Sequence, residues 1–314
     1  MILRKIYVFG CLFTALLISS FLHIHTDLFF NTTYPDSTQK ITAGISVAPA
    51  IAAADLKTSA NAPGIPVLMY HILLEGRNDS ISVDPEWFRE HMAAIRAAGY
   101  TTITDYELAD HLENDQPLPD KPILITFDDG YKSTYTEAFP VLKDLGMKAT
   151  VNVIASRIFE SPNTLHPEEY EKITWPEARL MKGTVTIQGH TWDSHHKKMD
   201  HHNEYKGVIT GRSAYGLETE SQADFETRVL EDFLLCKETI EEKMGYEAVS
   251  LAYPYGEYSA DTIRLAQQAG FKMAFTVKSG LVNSATSKKF ELNRITANGA
   301  FSGEQLLAAI ESAH

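Results

Sequence analysis

After Gly64 the sequence alternates between short, β-rich apolar runs and amphipathic helical patterns, and this alternation constrains the fold more than any other feature. Alternating strands and helices favour a parallel sheet covered by helices, which is an α/β fold. Eight runs are apolar enough to be strands: residues 65–70, 100–104, 122–127, 148–154, 184–188, 248–253, 271–277 and 290–295.

The number of candidate strands predicts that the sheet closes into a (β/α) barrel of seven or eight strands. An open, doubly wound sheet is the alternative, but no run is followed by the glycine-rich signature of a dinucleotide site. The segment from Lys197 to about Asp224 interrupts the alternation. We therefore expect it to form an irregular loop over one rim of the barrel.

Helix signals stand between several of the runs. Asp84 is a typical N-cap, with Pro85 at the first helical position and Gly99 as the stop signal. Thr174 and Glu177 form the pattern of a capping box. Further helical patterns cover residues 132–145, 225–244, 259–269 and 303–312.

The first 63 residues differ in composition from the rest. Residues 6–22 carry no charge and follow Arg4 and Lys5, which is typical of a signal peptide or a signal anchor within residues 1–30. We expect an anchor, because no small-x-small cleavage site follows the run. Residues 31–63, rich in Ala, Ser, Thr and Pro, suit a flexible linker. The domain at 64–314 is then expected outside the cytoplasmic membrane, secreted or anchored.

Composition excludes some classes of function. The net charge of -13 repels nucleic acid, and the sequence has no stripe of Lys and Arg with interleaved aromatic residues to offset it. Cys236 lies on the apolar face of a helical pattern, and Cys11 lies in the uncharged N-terminal run. No disulfide is expected, so stability must come from a sizeable hydrophobic core.

Residue types that bind metals and move protons fall just after the predicted strands. In a strand-helix barrel, working side chains lie on the loops at the carboxyl ends of the strands, so these positions share one rim. In chain order they are His71, Asp128, Asp129, His190, His195, Pro254, Tyr255 and, inside the last run, Arg294.

Asp128 and Asp129 directly follow a buried strand. Two adjacent carboxylates in a poorly hydrated mouth resist joint ionisation unless a cation is close. His190 and a second histidine from the same turn are suitable ligands for zinc or a similar ion, and a distant carboxylate completes a three-ligand site with a position open for water. His195 and His196 are adjacent, and spacing alone does not decide between them.

These residues resemble the polysaccharide deacetylases, the NodB-homology domain of carbohydrate esterase family four, over roughly residues 64–312. TFDDG at 126–130 is similar to the first motif of the family, HTWDSH at 190–195 to the second, and AYPYG at 252–256 to the third. The resemblance implies a distorted (β/α) barrel of the NodB type and an enzyme that removes N-acetyl groups from a polysaccharide.

The resemblance also implies the metal site and the base. Asp128 matches the general base, and Asp129 matches a ligand of one divalent metal ion that His190 and His195 complete. Zinc suits this ligand set, and nickel, cobalt, manganese or iron are alternatives.

Further roles follow from the third motif and the last strand. The backbone N–H of Tyr255 is expected to help hold the oxyanion, while Pro254 fixes the direction of the chain. We expect Arg294 to orient Asp128. Tyr131 and Trp192 flank the ligands and either wall a substrate groove or pack in the core.

Departures from the common family pattern favour one branch. The spacing from His190 to His195 is five residues instead of four, and Ala252 stands where most members have an arginine. The late Leu-x-His of the family is also not evident. These features are similar to the branch that deacetylates poly-β-1,6-N-acetylglucosamine, in which an early Tyr-His supplies the acid. That assigns the acid to His71, which would otherwise be an ordinary histidine at a strand end.

The expected partner is thus an N-acetylated polysaccharide, with the membrane contacted only through the N-terminal segment. Peptidoglycan and chitin-type oligomers are the next substrates, and acetylated xylan is a more distant one. A catalytically silent carbohydrate-binding module is the alternative from another class. A complete set of base, ligands and acid argues against that alternative, because a binding module has no use for an activated water.

Overall fold

The computed structural model describes residues 64–162, 170–215 and 218–313, and its centre is a parallel sheet of eight strands. Each strand overlaps one of the eight predicted runs, so the α/β prediction is confirmed. The strands are β1 (Val67–Tyr70), β2 (Thr101–Thr102), β3 (Pro122–Asp128), β4 (Ala149–Val153), β5 (Val185–Gly189), β6 (Ser250–Ala252), β7 (Met273–Phe275) and β8 (Ile295–Thr296).

The strands follow the order β7-β6-β5-β4-β3-β1-β8, and β2 pairs with the start of β3. The sheet curls until its two edges approach each other. Phe275 of β7 forms an isolated bridge with Leu292, just before β8, and the backbone N–H of Thr276 donates to the Leu292 carbonyl at 2.8 Å. The result is a distorted barrel, as predicted, and not an open, doubly wound sheet.

The sheet is buried on both faces, which explains why its strands appear in the sequence as continuous apolar runs. In β3, residues 123–128 are all buried. Helices cover the outer face of a parallel sheet, while side chains from neighbouring strands fill its interior. Cys236 belongs to the main core, packed with Phe233 and Phe271.

Seven α-helices are present in the described residues, and caps fix several of their ends. The Asp84 carboxylate accepts a hydrogen bond from the Glu86 N–H at the start of the first helix, and Thr174 with Glu177 forms a complete capping box. The helices are α1 (Pro85–Ala97), α2 (Asp105–Asn114), α3 (Phe139–Leu145), α4 (Trp175–Leu180), α5 (Gln222–Met244), α6 (Ala260–Gln268) and α7 (Gly303–Ser312). A π-helical turn, Thr134–Ala138, leads into α3.

The prediction of an irregular loop from Lys197 to Asp224 was wrong in detail. Lys197–Met199 pairs antiparallel with Tyr205–Gly207, and Ala214–Tyr215 pairs with Glu218–Thr219. The first pair forms because the Asp200 carboxylate accepts hydrogen bonds from two backbone N–H groups in the connecting turn.

Two predictions fall on residues outside the described ranges: the signal peptide or anchor within 1–30 and the linker at 31–63. The described residues belong to one unit that spans Thr58–His314. Among them, no helix is both long and apolar enough to cross a membrane.

Candidate active site

The carboxyl ends of β1, β3, β5 and β6 meet at one rim of the barrel and enclose a cavity of about 440 Å³. The predicted polar residues converge here, because parallel strands present their carboxyl ends on the same side. Apolar side chains, among them Met69, Ile81 and Val277, form part of the wall. The chemically active groups that line the cavity are His71, Asp128, Asp129, His190, His195 and Tyr255.

Asp129, His190 and His195 come together as a candidate metal site, with one ligand atom from each within 4.8 Å of the others. Asp129 Oδ1 lies 3.4 Å from His190 Nε2 and 3.3 Å from His195 Nε2. Ligand atoms about 2.0–2.1 Å from a tetrahedral zinc ion are about 3.3 Å apart, so these separations fit such an ion. Asp129 Oδ1 is buried and lacks a hydrogen-bond partner among the described residues, which also fits a ligand atom.

His190 is held in the orientation that a ligand requires. Its Nδ1–H donates to the Ala252 carbonyl at 2.8 Å, which leaves the lone pair of Nε2 directed towards Asp129. His195 is fixed from the opposite side by Tyr255. The two rings lie 4.7 Å apart, and the Tyr255 hydroxyl donates to the His195 carbonyl at 3.2 Å. His196 is exposed, so the structure brings His195 into the cluster.

The Asp-Asp-Gly sequence makes the turn that places the two carboxylates. Asp129 has a φ of 71° and Gly130 a φ of 68°, so the chain turns sharply as β3 ends. A Cβ at position 130 would also lie 3.1 Å from the side chains of Val153 and Ile158. Glycine is therefore required here for both its backbone conformation and its size.

Asp128, the last residue of β3, is buried against a guanidinium group. Arg294 Nη1 and Nη2 donate to its two carboxylate oxygens, each at 2.8 Å, and Asn152 Nδ2 donates to Oδ1 at 2.8 Å. Burial alone would raise the pKa of Asp128, but the positive charge of Arg294 outweighs it and holds the pKa well below its ordinary value. Asp128 is therefore an anion at neutral pH.

Arg294 is itself completely buried, at 0% exposure. Its Nε donates to the Thr276 carbonyl at 2.8 Å and its Nη1 to the Thr126 hydroxyl at 3.2 Å, so its planar group has one fixed orientation. The guanidinium thus reaches Asp128 from the residue that immediately precedes β8.

The two carboxylates and the two histidines of the cluster shift one another's pKa values. Burial opposes ionisation of Asp129, yet His190 and His195 hold its pKa well below the ordinary value. Burial also lowers the pKa of His190, but Asp128 and Asp129 outweigh it and raise that pKa. Partial burial and the neighbouring His190 lower the pKa of His195 to about 4, so this histidine is neutral at pH 7, as a metal ligand must be.

His71 follows β1 and lines the same cavity. Its Nδ1 is buried and has no hydrogen-bond partner among the described residues, while the residue itself lines the cavity. Burial lowers the pKa of His71, against the opposing pull of Asp128 and Asp129. A lowered pKa makes the protonated ring a stronger acid and leaves a smaller protonated fraction at neutral pH.

The remaining predicted residues are divided between the cavity wall and the core. Tyr255 has a φ of 59° and follows the buried Pro254, and its half-exposed ring lines the cavity. Tyr131 lines a second cavity of about 250 Å³ that shares Asp129 and His195 with the first. Trp192 packs, half-buried, against the main hydrophobic core.

The sequence prediction missed several residues that support the site. Asn152 in β4 holds Asp128, and Asp232 in α5 holds the turn between the two histidines. Both have a signal in the sequence: an amide inside an otherwise apolar strand, and a carboxylate on the apolar face of a helix. Arg157 and Lys172 line the second cavity beside Tyr131.

Comparison with known proteins identifies the family. The model of the family described as polysaccharide deacetylase matches residues 115–274, just over half of the 314 residues. His71 and Arg294 lie outside the matched stretch. The Bacillus subtilis protein YxkH is 28% identical over 248 residues, which cover 79% of this chain and 76% of that protein.

A second relative is the poly-β-1,6-N-acetyl-D-glucosamine N-deacetylase of Escherichia coli K12, 28% identical over 217 residues. The match covers 65% of this chain and only 32% of that longer protein. Among solved structures, the de-N-acetylase of Aggregatibacter actinomycetemcomitans has a TM-score of 0.69 at 19% identity, covering 79% of this chain and all of that one. This likeness supports the fold alone.

IcaB from Ammonifex degensii has a TM-score of 0.65 at 25% identity, covering 80% of this chain and 98% of that one. The predicted motifs, the distorted barrel and the family match agree with one another. This chain belongs to the polysaccharide deacetylase family and is an enzyme of that class.

Proposed function

We propose that this enzyme removes N-acetyl groups from poly-β-1,6-N-acetylglucosamine outside the cytoplasmic membrane, with one divalent ion, zinc by preference. The observation that carries the proposal is the convergence of Asp129, His190 and His195 beside an ionised Asp128. A carbohydrate-binding module has no need of such a constellation, whereas hydrolysis of an amide does.

The donor set fits a divalent ion, because it combines one carboxylate oxygen with two imidazole nitrogens at the separations that zinc requires. When bound, such an ion lowers the pKa of a coordinated water and polarises a carbonyl oxygen. Its positive charge would also match the low pKa of Asp129 and the neutral state of His195.

Asp128 is the general base in this proposal. The attacking water must lose a proton, and an ionised carboxylate that is fixed in one orientation can accept it. Arg294 and Asn152 keep Asp128 charged and prevent it from rotating. The base is therefore ready before the substrate arrives.

His71 is the general acid, because the leaving nitrogen must gain a proton as the C–N bond breaks. It lines the cavity together with Asp128, where the scissile bond of a bound substrate would lie. The backbone N–H of Tyr255, on the turn after β6, would stabilise the oxyanion, with Pro254 directing the chain.

Three features support the β-1,6-linked polymer as substrate. The two histidines are five residues apart, Ala252 stands where most members of the family have an arginine while Arg294 binds Asp128, and His71 directly follows the first strand. The proteins of Escherichia coli and Staphylococcus epidermidis that carry the name poly-β-1,6-N-acetyl-D-glucosamine N-deacetylase are 28% and 26% identical to this chain.

The proposed location rests on residues 6–22, an uncharged run after two basic residues. Fractionation of cells that produce the full-length protein tests it. We expect the protein in the membrane fraction, where protease added outside the cytoplasmic membrane digests it. Protection from that protease in cells with an accessible outer face of the membrane would contradict the proposal.

Acetate release tests the function. Purified full-length enzyme is incubated with β-1,6-linked N-acetylglucosamine pentamer, with β-1,4-linked pentamer and with peptidoglycan. We expect the highest kcat/KM on the β-1,6 oligomer, loss of activity with a chelator, and recovery when zinc or cobalt is added. The Asp129→Asn variant is the matched control, because added metal should not restore it.

Each alternative gives a different result. Preference for the β-1,4 oligomer or for peptidoglycan would overturn the substrate while preserving the reaction. Acetate release that resists the chelator would overturn the metal site. A protein that binds oligomers without releasing acetate would be a silent member of the family.

A further inference from the structure

The turn that joins His190 to His195 has an unfavourable backbone conformation. Thr191 has a φ of 72°, in the left-handed region that β-branched residues rarely adopt. Such a conformation persists only where the surrounding structure holds it in place. The turn carries two of the three candidate metal ligands, so whatever holds it also fixes their separation.

A single carboxylate in α5 binds three consecutive residues of this turn. Asp232 Oδ1 accepts from the Trp192 N–H at 2.9 Å, and Oδ2 accepts from the Asp193 N–H at 2.8 Å. The Ser194 side chain also interacts with Asp232 and lowers the pKa of that carboxyl, against the larger effect of burial, which raises it. All three donors lie between the two histidines.

The position of Asp232 is unusual for a charged residue. It lies on the buried face of α5 with Val229, Phe233 and Cys236, and it is only 7% exposed. A carboxylate in such surroundings is costly unless its oxygens are fully hydrogen-bonded. The turn supplies those bonds, so α5 and the turn depend on each other.

The opposite side of the turn is held by residues 155–157, through backbone bonds and through the side chains of Ser156 and Arg157, which both bind the Asp193 carboxylate. The N–H of Ala155 donates to the Thr191 carbonyl at 3.1 Å, and the N–H of Ser156 donates to the Trp192 carbonyl at 2.9 Å. These bonds fix the carbonyl groups, whereas Asp232 fixes the N–H groups. Both sides are needed to keep Thr191 in its conformation.

We propose that Asp232 is a positioning residue that holds His190 and His195 at the separation required for binding a divalent ion. The inference rests on the proposed function, because it concerns the same metal site. Asp232 does not touch the ligands and acts through the backbone N–H groups of Trp192 and Asp193 and through the side chain of Ser194.

The test is metal affinity measured on the full-length protein, by competition with a chromophoric chelator for Zn²⁺ and for Co²⁺. Asp232→Asn keeps the shape of the side chain, but it offers one acceptor oxygen and turns an NH₂ group towards a donor. We expect affinity to fall about 10- to 100-fold, as for other residues that orient metal ligands. Circular dichroism checks that the fold is retained.

Three further variants separate positioning from a general effect on stability. Glu231→Gln changes the exposed neighbour of Asp232 in the same helix and should leave affinity unchanged. Ser194→Ala removes one of the three donors and should weaken binding about fivefold. Thr191→Gly in the Asp232→Asn background relieves the backbone strain and should recover affinity several-fold.

The outcomes are distinct. Equal metal affinity in wild type and Asp232→Asn, with a lowered melting temperature, would overturn the inference and leave the proposed function intact. If Asp232→Asn does not fold, unchanged affinity in Ser194→Ala would overturn it in the same way. Failure of the wild type to bind either metal would overturn the metal site itself.

Discussion

Two buried carboxylates at opposite ends of the barrel have opposite properties. Asp128 lies at the carboxyl end of β3, and Asp105, the first residue of α2, reaches the amino ends of β4, β5 and β6. Both side chains are almost inaccessible to solvent, at 2% and 0% exposure. Burial raises the pKa of Asp105, whereas the pKa of Asp128 is held below its ordinary value.

The difference comes from the partners. Asp128 faces the guanidinium of Arg294, whereas Asp105 is bound by the hydroxyl groups of Thr150, Thr186 and Ser250. Neutral hydroxyl groups satisfy the oxygens without supplying charge, so desolvation decides and the protonated form is favoured. Burial of an Asp therefore does not decide its ionisation, whereas the charge of its partner does.

The largest expected effect is on the rate. Asp128→Asn should cut acetate release roughly 10²- to 10⁴-fold, because the base is lost, and should leave the metal content unchanged. Asp129→Asn should lose both metal and activity. Asp105→Asn is the matched control at the other end of the barrel and should retain both. Equal metal loss in the Asp128 and Asp129 variants would refute the assignment of base and ligand.

The next effect comes from removing the charge that makes the two carboxylates different. Arg294→Met leaves Asp128 buried without a cation, so its pKa should rise and unfolding free energy should fall by about 3–5 kcal/mol. Urea unfolding measures the loss, and the acidic limb of the pH-rate profile should move to higher pH. Arg294→Lys keeps the charge, so its unfolding free energy and the position of its acidic limb should lie between those of wild type and Arg294→Met. An unchanged pH-rate profile in Arg294→Met would show that Arg294 does not set the ionisation of Asp128.

A smaller effect is expected at the amino end. Asp105→Ala leaves the three hydroxyl groups at the ends of β4, β5 and β6 without their shared acceptor and should cost about 2–3 kcal/mol of unfolding free energy. Metal affinity should not change, because the site lies at the other rim. Reduced metal affinity in this variant would mean that the two ends of the barrel are coupled.

The smallest effect is a dependence of stability on pH. The pKa of Asp105 is higher in the folded protein than in the unfolded chain, so its contribution to stability is present below about pH 3.9 and is lost as the pH rises through the folded pKa. Asn resembles the protonated acid and does not titrate. The stability of wild type relative to Asp105→Asn should therefore decrease as pH rises. Urea unfolding of both proteins from pH 4.5 to 8 measures this. A wild type that becomes more stable relative to Asp105→Asn as the pH rises would contradict the prediction.

The strands were predictable because they are buried on both faces. All eight runs overlap strands of the sheet, with boundaries that differ by a few residues, since an apolar run extends past the last paired residue. The helix α2 was missed because DYELADHLEN is largely polar and its apolar period is weak. Its capping box, formed by Thr104 and Glu107, was the available signal.

Contacts between residues that are distant in the sequence were harder to predict. The positions of Asp129, His190 and His195 after their strands predict a shared rim, and the structure brings them together. The contact between Asp128 and Arg294, which we expected, joins residues 166 positions apart, and no local pattern encodes the bidentate geometry or the full burial of the pair. The hydrogen bonds of Asp232 likewise depend on how α5 packs against the turn.

The remote origin of Arg294 has a consequence for how the enzyme matures. Strand β8 pairs with β1, which lies beside β3, so the guanidinium arrives only when the last strand of the barrel docks. Until then, burial of Asp128 as an unpaired anion is unfavourable. A chain interrupted before that strand has every other predicted participant but lacks the cation that keeps a buried Asp128 ionised.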